Sequence, residues 1–327
     1  MRLYAYEDRF GDPRFGVLVA GRLLTGAQLE KRGRLLDEVD THLGIGHQVA
    51  FNDGWTDAVR RATIRALKAG APLIDPAERR ARSPLGTFHV VEKIVCVGLN
   101  YGDHAAEGGR AIPDRPLLFA KFASAIIGDG DAIVRPPGTH ALDLEAELGV
   151  VIGSRARRVS EADAPAHIAG YVVTNDVSAR DWQGNPQALR EGEKGDGQWL
   201  RAKSSDTFLP IGPVFVTPDE LDPAAGMAIR SWRIPAGGAE GADPVLMQDG
   251  NTADMLFSVP RLISYISAQI TLDPGDLVIT GTPAGVGVFR DPPVFLEPGD
   301  RVRCEIEGIG VVDNPIVDWT DDPRHDA

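Results

Sequence analysis

The segment Asp143-Leu144-Glu145-Ala146-Glu147 sets acids at alternate positions just before the apolar run Val150-Val151-Ile152. Alternation and β-branched residues predict a strand, which would turn all three carboxylates to one face and Leu144, Ala146 and Leu148 to the other. Like charges stacked on a half-buried face repel and are costly to desolvate, so such a strand needs solvent or a cation to neutralise it. The chain therefore holds either a water-facing acidic edge strand or a site for a divalent ion. Oxygen donors without clustered His or Cys favour a hard cation, Mg²⁺, Mn²⁺ or Ca²⁺, over zinc.

With 327 residues the chain has the length for one large domain or two. Its 37 Gly and 24 Pro lie scattered between short apolar runs, which predicts a turn-rich β protein and not a low-complexity tract. A formal net charge of -13 argues against a nucleic-acid surface, which needs clustered cations. Residues 1–20 show no basic segment followed by an apolar one, and no window approaches the roughly 18 consecutive apolar residues of a membrane span. The expectation is a cytoplasmic protein without membrane or nucleic-acid partners. Cys96 and Cys304 sit in strand-like segments without CxxC spacing, as buried thiols do.

Arg2-Leu3-Tyr4-Ala5-Tyr6 and Phe15-Gly16-Val17-Leu18-Val19, split by Gly11-Asp12-Pro13, predict a hairpin. Residues 55–68 carry Val59, Ala62, Ile64 and Leu67 at helical spacing, with basic residues near the end and Gly70 beyond. The Pro-punctuated stretch 72–84 marks a boundary between a small N-terminal α/β domain, 1–86, and a larger domain, 87–327. From Phe88 the pattern becomes short strands broken by turns, so the fold class is α+β, mostly β. Asp273-Pro274-Gly275-Asp276 and Glu297-Pro298-Gly299-Asp300 are β-turns, because Pro fixes φ and Gly accepts the positive φ that follows. The one helical window of this part, 252–268, contains Pro260, expected to split or kink it. Residues 184–199 read as a long surface loop.

Candidate chemistry lies at strand ends. Ile94-Val95-Cys96-Val97-Gly98-Leu99-Asn100-Tyr101 is followed by His104 and Glu107, three apart, so on a short helix the carboxylate can orient the imidazole as a general base. Gly102, Gly108 and Gly109 bracket this pair and predict a mobile segment. Asn175-Asp176-Val177-Ser178-Ala179-Arg180-Asp181-Trp182-Gln183 ends another apolar run; Asp176 could complete a carboxylate shell with Glu145 and Glu147, and Arg180 could face an anion. Lys203 stands before Asp206-Thr207-Phe208. Gly281-Thr282-Pro283-Ala284-Gly285-Val286-Gly287 lacks the Gly-Lys-Ser/Thr ending of a phosphate loop; its amides and the Thr282 hydroxyl suit a substrate carboxylate.

In this order, from about Lys93 to Val317, the segments resemble the fumarylacetoacetate hydrolase family. The resemblance implies a mixed β-roll catalytic domain behind a small N-terminal domain, a homodimer, and Mg²⁺ or a similar ion on Glu145, Glu147 and Asp176. It implies catalytic roles for His104 and Glu107 with water and protons, and for Lys203 in support of the metal. Tyr101, Arg180, Gln183 and Thr282 would hold a 2-oxo or 2,4-dioxo acid. The activity it implies first is hydrolysis of a carbon–carbon bond in an acylpyruvate through a metal-bound enolate. Alternatives on the same site are 2-oxo acid decarboxylation, isomerisation and 3-deoxy sugar acid dehydration, and a more distant one is a non-catalytic metal-binding protein. The sequence departs from the family at Lys121-Phe122-Ala123-Ser124, where Lys-Pro-Ser-Ser is common, and in the long loop 184–199; both are expected to bear on substrate choice more than on chemistry.

Overall fold

A computed structural model describes residues 1–35, 39–85, 91–237 and 243–324; the expected boundary at 86–87 and Phe88 lie outside the described residues. Strand outweighs helix, as the turn-rich composition requires. The main sheet has nine strands, in the order Arg22–Leu24, Pro13–Val19, Arg2–Glu7, Val214–Val216, Ile168–Asn175, Ala146–Ile152, Leu277–Ile279, Ile94–Gly98 and Leu117–Lys121. The N-terminal hairpin thus extends one side of this sheet, with Arg2 opposite Val216. Helix Trp55–Lys68 packs there through Trp55, whose ring lies 6.0 Å from Phe15 and 6.4 Å from Phe215. Ile64 and Leu67, counted towards its apolar face by spacing, are exposed.

A five-stranded sheet, Val245–Asn251, Ala228–Ile234, Arg301–Ile306, Gly310–Asp318 and Ile133–Arg135, lies against the middle of the first. Strand Ala146–Ile152 is therefore buried along its whole length, which explains its continuous apolar run. Both Pro-Gly-Asp turns form as expected, and each closing Asp accepts from the residue opening its turn: Asp273 N–H to Asp276 at 2.7 Å and Glu297 N–H to Asp300 at 2.9 Å.

Two sequence expectations change. Pro260 neither splits nor kinks a helix: it occupies the first turn of helix Val259–Ser267, where its missing N–H costs nothing, while Thr252–Asp254 is a separate 3₁₀ turn. The acid-bearing strand is broken too. Leu142–Asp143 pairs with Ser178–Ala179, Ala146–Ile152 pairs with Ile168–Asn175, and the two residues between belong to no ladder. The break turns Asp143 away from the other acids.

Candidate active site

Glu145, Glu147 and Asp176 converge, with ligand oxygens all within 4.8 Å of one another, and all three are buried. Glu145 lies in the strand break, Glu147 on the central strand, and Asp176 directly after strand Ile168–Asn175, where its N–H donates to Glu145 O at 2.8 Å. Asn175 Oδ1 accepts from Glu145 N–H at 3.0 Å, so the two strand ends are tied where the carboxylates meet.

Two buried lysines hold the cluster. Lys203 Nζ donates to Glu145 at 2.6 Å and to Asp176 at 2.8 Å; Lys121 Nζ donates to the other oxygen of Asp176 at 2.6 Å and to Val177 O at 3.2 Å. Burial works against the Lys203 ammonium, but Asp176 and Glu145 hold its pKa above the ordinary value. For Lys121 burial prevails and pushes the pKa down. Burial also disfavours the Glu145 carboxylate, yet Lys203 and Arg180 outweigh it and hold the acid well below the usual range. Among the described residues Glu147 has no lysine or arginine hydrogen-bonded or ion-paired to it. Burial, then the charges of Asp176 and Glu145, push its carboxyl well above the usual range against the Gly281 N–H it accepts at 2.6 Å. Three oxygen donors, one of them with its carboxyl pushed up by burial and like charge, fit a hard divalent cation, whose charge would offset that repulsion. Metal affinity should therefore rise with pH up to the raised pKa of Glu147, with proton release on binding. Calorimetric titration with Mg²⁺ in buffers of different ionisation enthalpy reads both; binding heats independent of buffer would refute it.

Asp143, expected on the same face as the other acids, pairs with Arg180 instead: Arg180 Nε donates to it at 2.9 Å, and the Gly287 and Val288 amides at 2.8 and 3.1 Å. Arg180 Nη1 donates to Gln183 Oε1 at 3.1 Å. Its Nη2 is ion-paired with Glu145 Oε1 at 2.7 Å.

Helix Gly102–Glu107 brings His104 over the cluster, with Nδ1 2.7 Å from Glu107 Oε1. Glu107 Oε2 accepts from Gly285 N–H at 2.8 Å. That contact ties Glu107 to the glycine-rich loop. The loop itself differs from expectation: its amides meet the protein's own acids, Gly281 at Glu147, Gly285 at Glu107 and Gly287 at Asp143. Gly281 has φ +95° and Gly285 φ +106°, and a Cβ on Gly285 would stand 2.1 Å from Met247 O, so close approach here requires glycine.

One cavity of about 150 Å³ is lined by His104, Glu145, Glu147, Arg180, Gln183, Lys203 and Thr282, so most of the expected site residues share it. Tyr101 is not in its lining; the ring is fully buried and its hydroxyl has no hydrogen-bond partner among the described residues. Thr282 donates its hydroxyl hydrogen to Ala146 O at 2.9 Å and accepts from Gln248 Nε2 at 2.6 Å, so toward a ligand it offers an acceptor. Gln248, absent from the sequence reading, also bonds Ala146 N–H, Ser231 and Pro283 O. A bulge at Met247, where Ser231 pairs with Gln248 but Trp232 with Leu246, buries Met247 and Gln248 together. Lys121, which matches the first residue of the family's Lys-Pro-Ser-Ser, grips a candidate metal ligand, while the departing residues Phe122 and Ala123 are not in the cavity lining. From the loop 184–199, Gly184, Asn185 and Trp199 reach the cavity wall.

Three converging carboxylates at strand ends, with His104 of a His–Glu pair lining the same cavity as two of them, have the donor set of a metal-assisted active site. The chain belongs to the fumarylacetoacetate hydrolase family: residues 93–317 match the fumarylacetoacetate (FAA) hydrolase C-terminal domain. It is 44% identical over 261 residues to a mitochondrial oxaloacetate tautomerase of Bos taurus, covering 80% of this chain and 77% of that one. Among solved structures it resembles a fumarylacetoacetate hydrolase of Exiguobacterium antarcticum, with a TM-score of 0.74 and 32% identity over 97% of this chain and 99% of that one. It also resembles a 2-hydroxyhepta-2,4-diene-1,7-dioate isomerase of Mycobacterium marinum, with a TM-score of 0.66 and 31% identity over 98% and 99%. Among the described residues no helix is long and apolar enough to cross a membrane.

Proposed function

We propose that this chain is a divalent-cation-dependent tautomerase of a small 2-oxo acid of the oxaloacetate type, with Mg²⁺ as the working ion. The observation that carries the reading is the His104–Glu107 pair, a single oriented proton carrier at the wall of the carboxylate cavity. Relatives named as an oxaloacetate tautomerase and a diene-dioate isomerase support proton transfer over bond cleavage. The cavity volume supports a small substrate, since about 150 Å³ is what an engineered cavity offers benzene.

Glu145, Glu147 and Asp176 would hold the cation, which would supply positive charge for the oxygen on which negative charge gathers during enolisation. Arg180, in the cavity lining, faces the adjacent carboxylate, and Gln183 steadies the guanidinium. His104 uses Nε2, the nitrogen not engaged by Glu107. It takes the proton from C3; the C–H electron pair becomes the C2–C3 double bond, and the carbonyl pair moves to oxygen. The imidazolium so formed gives that proton to the oxygen, which completes the enol and restores the neutral ring, and the reverse sequence returns the ketone. Glu107 fixes the ring and offsets the imidazolium charge, while Gly285 N–H fixes Glu107.

Hydrolysis of an acylpyruvate is the second reading, favoured by Glu107, because an imidazolium stabilised by a carboxylate can also return a proton to a leaving carbon. Purified protein with Mg²⁺ should accelerate decay of the oxaloacetate enol absorbance and release no pyruvate from acetylpyruvate. Pyruvate release without faster tautomerisation would replace this proposal with the hydrolytic one.

A further inference from the structure

The helix that carries His104 and Glu107 ends in a specific way. Gly109, with φ +61°, donates its N–H to Ala106 O at 3.0 Å, and Arg110 donates its N–H to Ala105 O at 2.8 Å. This paired pattern is a Schellman cap, which fixes the backbone of the residue after the left-handed glycine. Arg110 is thus rigidly linked to the His–Glu pair although its side chain is exposed, and that side chain lines the carboxylate cavity.

The other strong cations at this cavity are engaged. Arg180 is tied to Asp143, Gln183 and Glu145, and Lys203 to Glu145 and Asp176. Arg110 has no side-chain hydrogen bond or ion pair among the described residues. The cavity lining also holds Leu99, Leu117, Phe119 and Phe289, and the Phe289 ring and the Arg110 stem both stand over Gly108. An unpaired guanidinium beside apolar walls, in a chain of net charge -13, is a selective place for an anion.

We propose that Arg110 binds the distal carboxylate of the substrate, so that the site selects dicarboxylic over monocarboxylic 2-oxo acids. The acid would lie with its 2-oxo end toward Arg180 and the carboxylate trio and its far end at Arg110. This rests on the small 2-oxo acid reading above and adds to it the second charge. The proton-transfer pair and the distal-carboxylate donor then sit on one capped unit, so engaging Arg110 fixes His104 relative to C3.

The test separates binding from turnover. With Mg²⁺ present, calorimetry compares malate with 2-hydroxybutanoate, which has the same chain length but no distal carboxylate. Wild type should prefer malate by roughly tenfold or more, the scale of one charge-assisted bond. Arg110→Gln should remove the preference by weakening malate alone, and Arg110→Lys should restore part of it. C3 proton exchange in D₂O, followed by NMR, should show a raised KM for oxaloacetate in Arg110→Gln and unchanged exchange of 2-oxobutanoate. Equal loss for both ligands, or an intact malate preference in Arg110→Gln, overturns the assignment. A malate preference that depends on Arg110 in a protein that exchanges neither substrate upholds the assignment and sinks the tautomerase reading instead.

Discussion

His104→Ala is expected to lower turnover of the 2-oxo acid by roughly a hundredfold or more while leaving Mg²⁺ affinity near that of wild type. The ring contacts Glu107 and lies 5.9 Å from the Phe289 ring, and it is not among the three converging carboxylates, so its removal takes away the proton carrier and none of the cation's ligands. Glu107→Gln keeps a side chain that can still meet Nδ1 but removes the charge that offsets the imidazolium. It should therefore fall between wild type and His104→Ala. Steady-state kinetics with Mg²⁺ titrations of each variant check this. A His104→Ala protein that retains full turnover would move the proton-transfer role elsewhere in the cavity, and one that loses metal binding would make His104 part of the cation site.

Much of the site was legible because its parts sit where short-range pattern and chemistry coincide. Glu145 and Glu147 alternate before a β-branched run, Asp176 follows another, and His104 and Glu107 are three apart on a helix; each relation is local and survives folding. What could not be read were relations between segments distant in the chain. Lys121 reaches Asp176 across 55 positions and Gln248 reaches Ala146 across 102, and neither has a neighbour in sequence that announces its partner. Asp143 shows the limit of period-two reasoning: a two-residue interruption of the ladder sends it to Arg180, and alternation carries no mark of such a break. The glycine-rich loop was recognised as a place of close backbone approach, but whether its amides face a ligand or the protein's own acids depends on how the Gly102–Glu107 helix docks on it. Pro260 was misjudged for a different reason: proline is compatible with a helix start and incompatible with a helix middle, and the apolar spacing over 252–268 hid the true beginning.

Two ligands of the same candidate ion should respond oppositely to removal of their charge. Asp176→Ala strips Lys121 of the one carboxylate it pairs with among the described residues and leaves Lys203 with Glu145 alone, both ammonium groups being buried. Breaking a buried pair from one side costs about 3–5 kcal/mol, so the variant should be strongly destabilised as well as unable to bind Mg²⁺. Adding Lys121→Met should recover much of that stability and none of the binding, because it removes the orphaned charge without restoring a ligand. Glu147→Gln should also abolish Mg²⁺ binding, yet melt no lower than wild type without metal. Because the folded pKa of Glu147 is raised, its contribution to stability is fully present below the ordinary carboxylate pKa and is lost as pH rises toward the raised one. At neutral pH glutamine, which cannot ionise, should therefore equal or exceed glutamate in the metal-free protein, and the advantage should vanish in acid. Denaturant melts of the metal-free variants across pH decide this. If Glu147→Gln proves as unstable as Asp176→Ala, Glu147 carries a compensated negative charge in the folded protein, and cation binding there would release no proton.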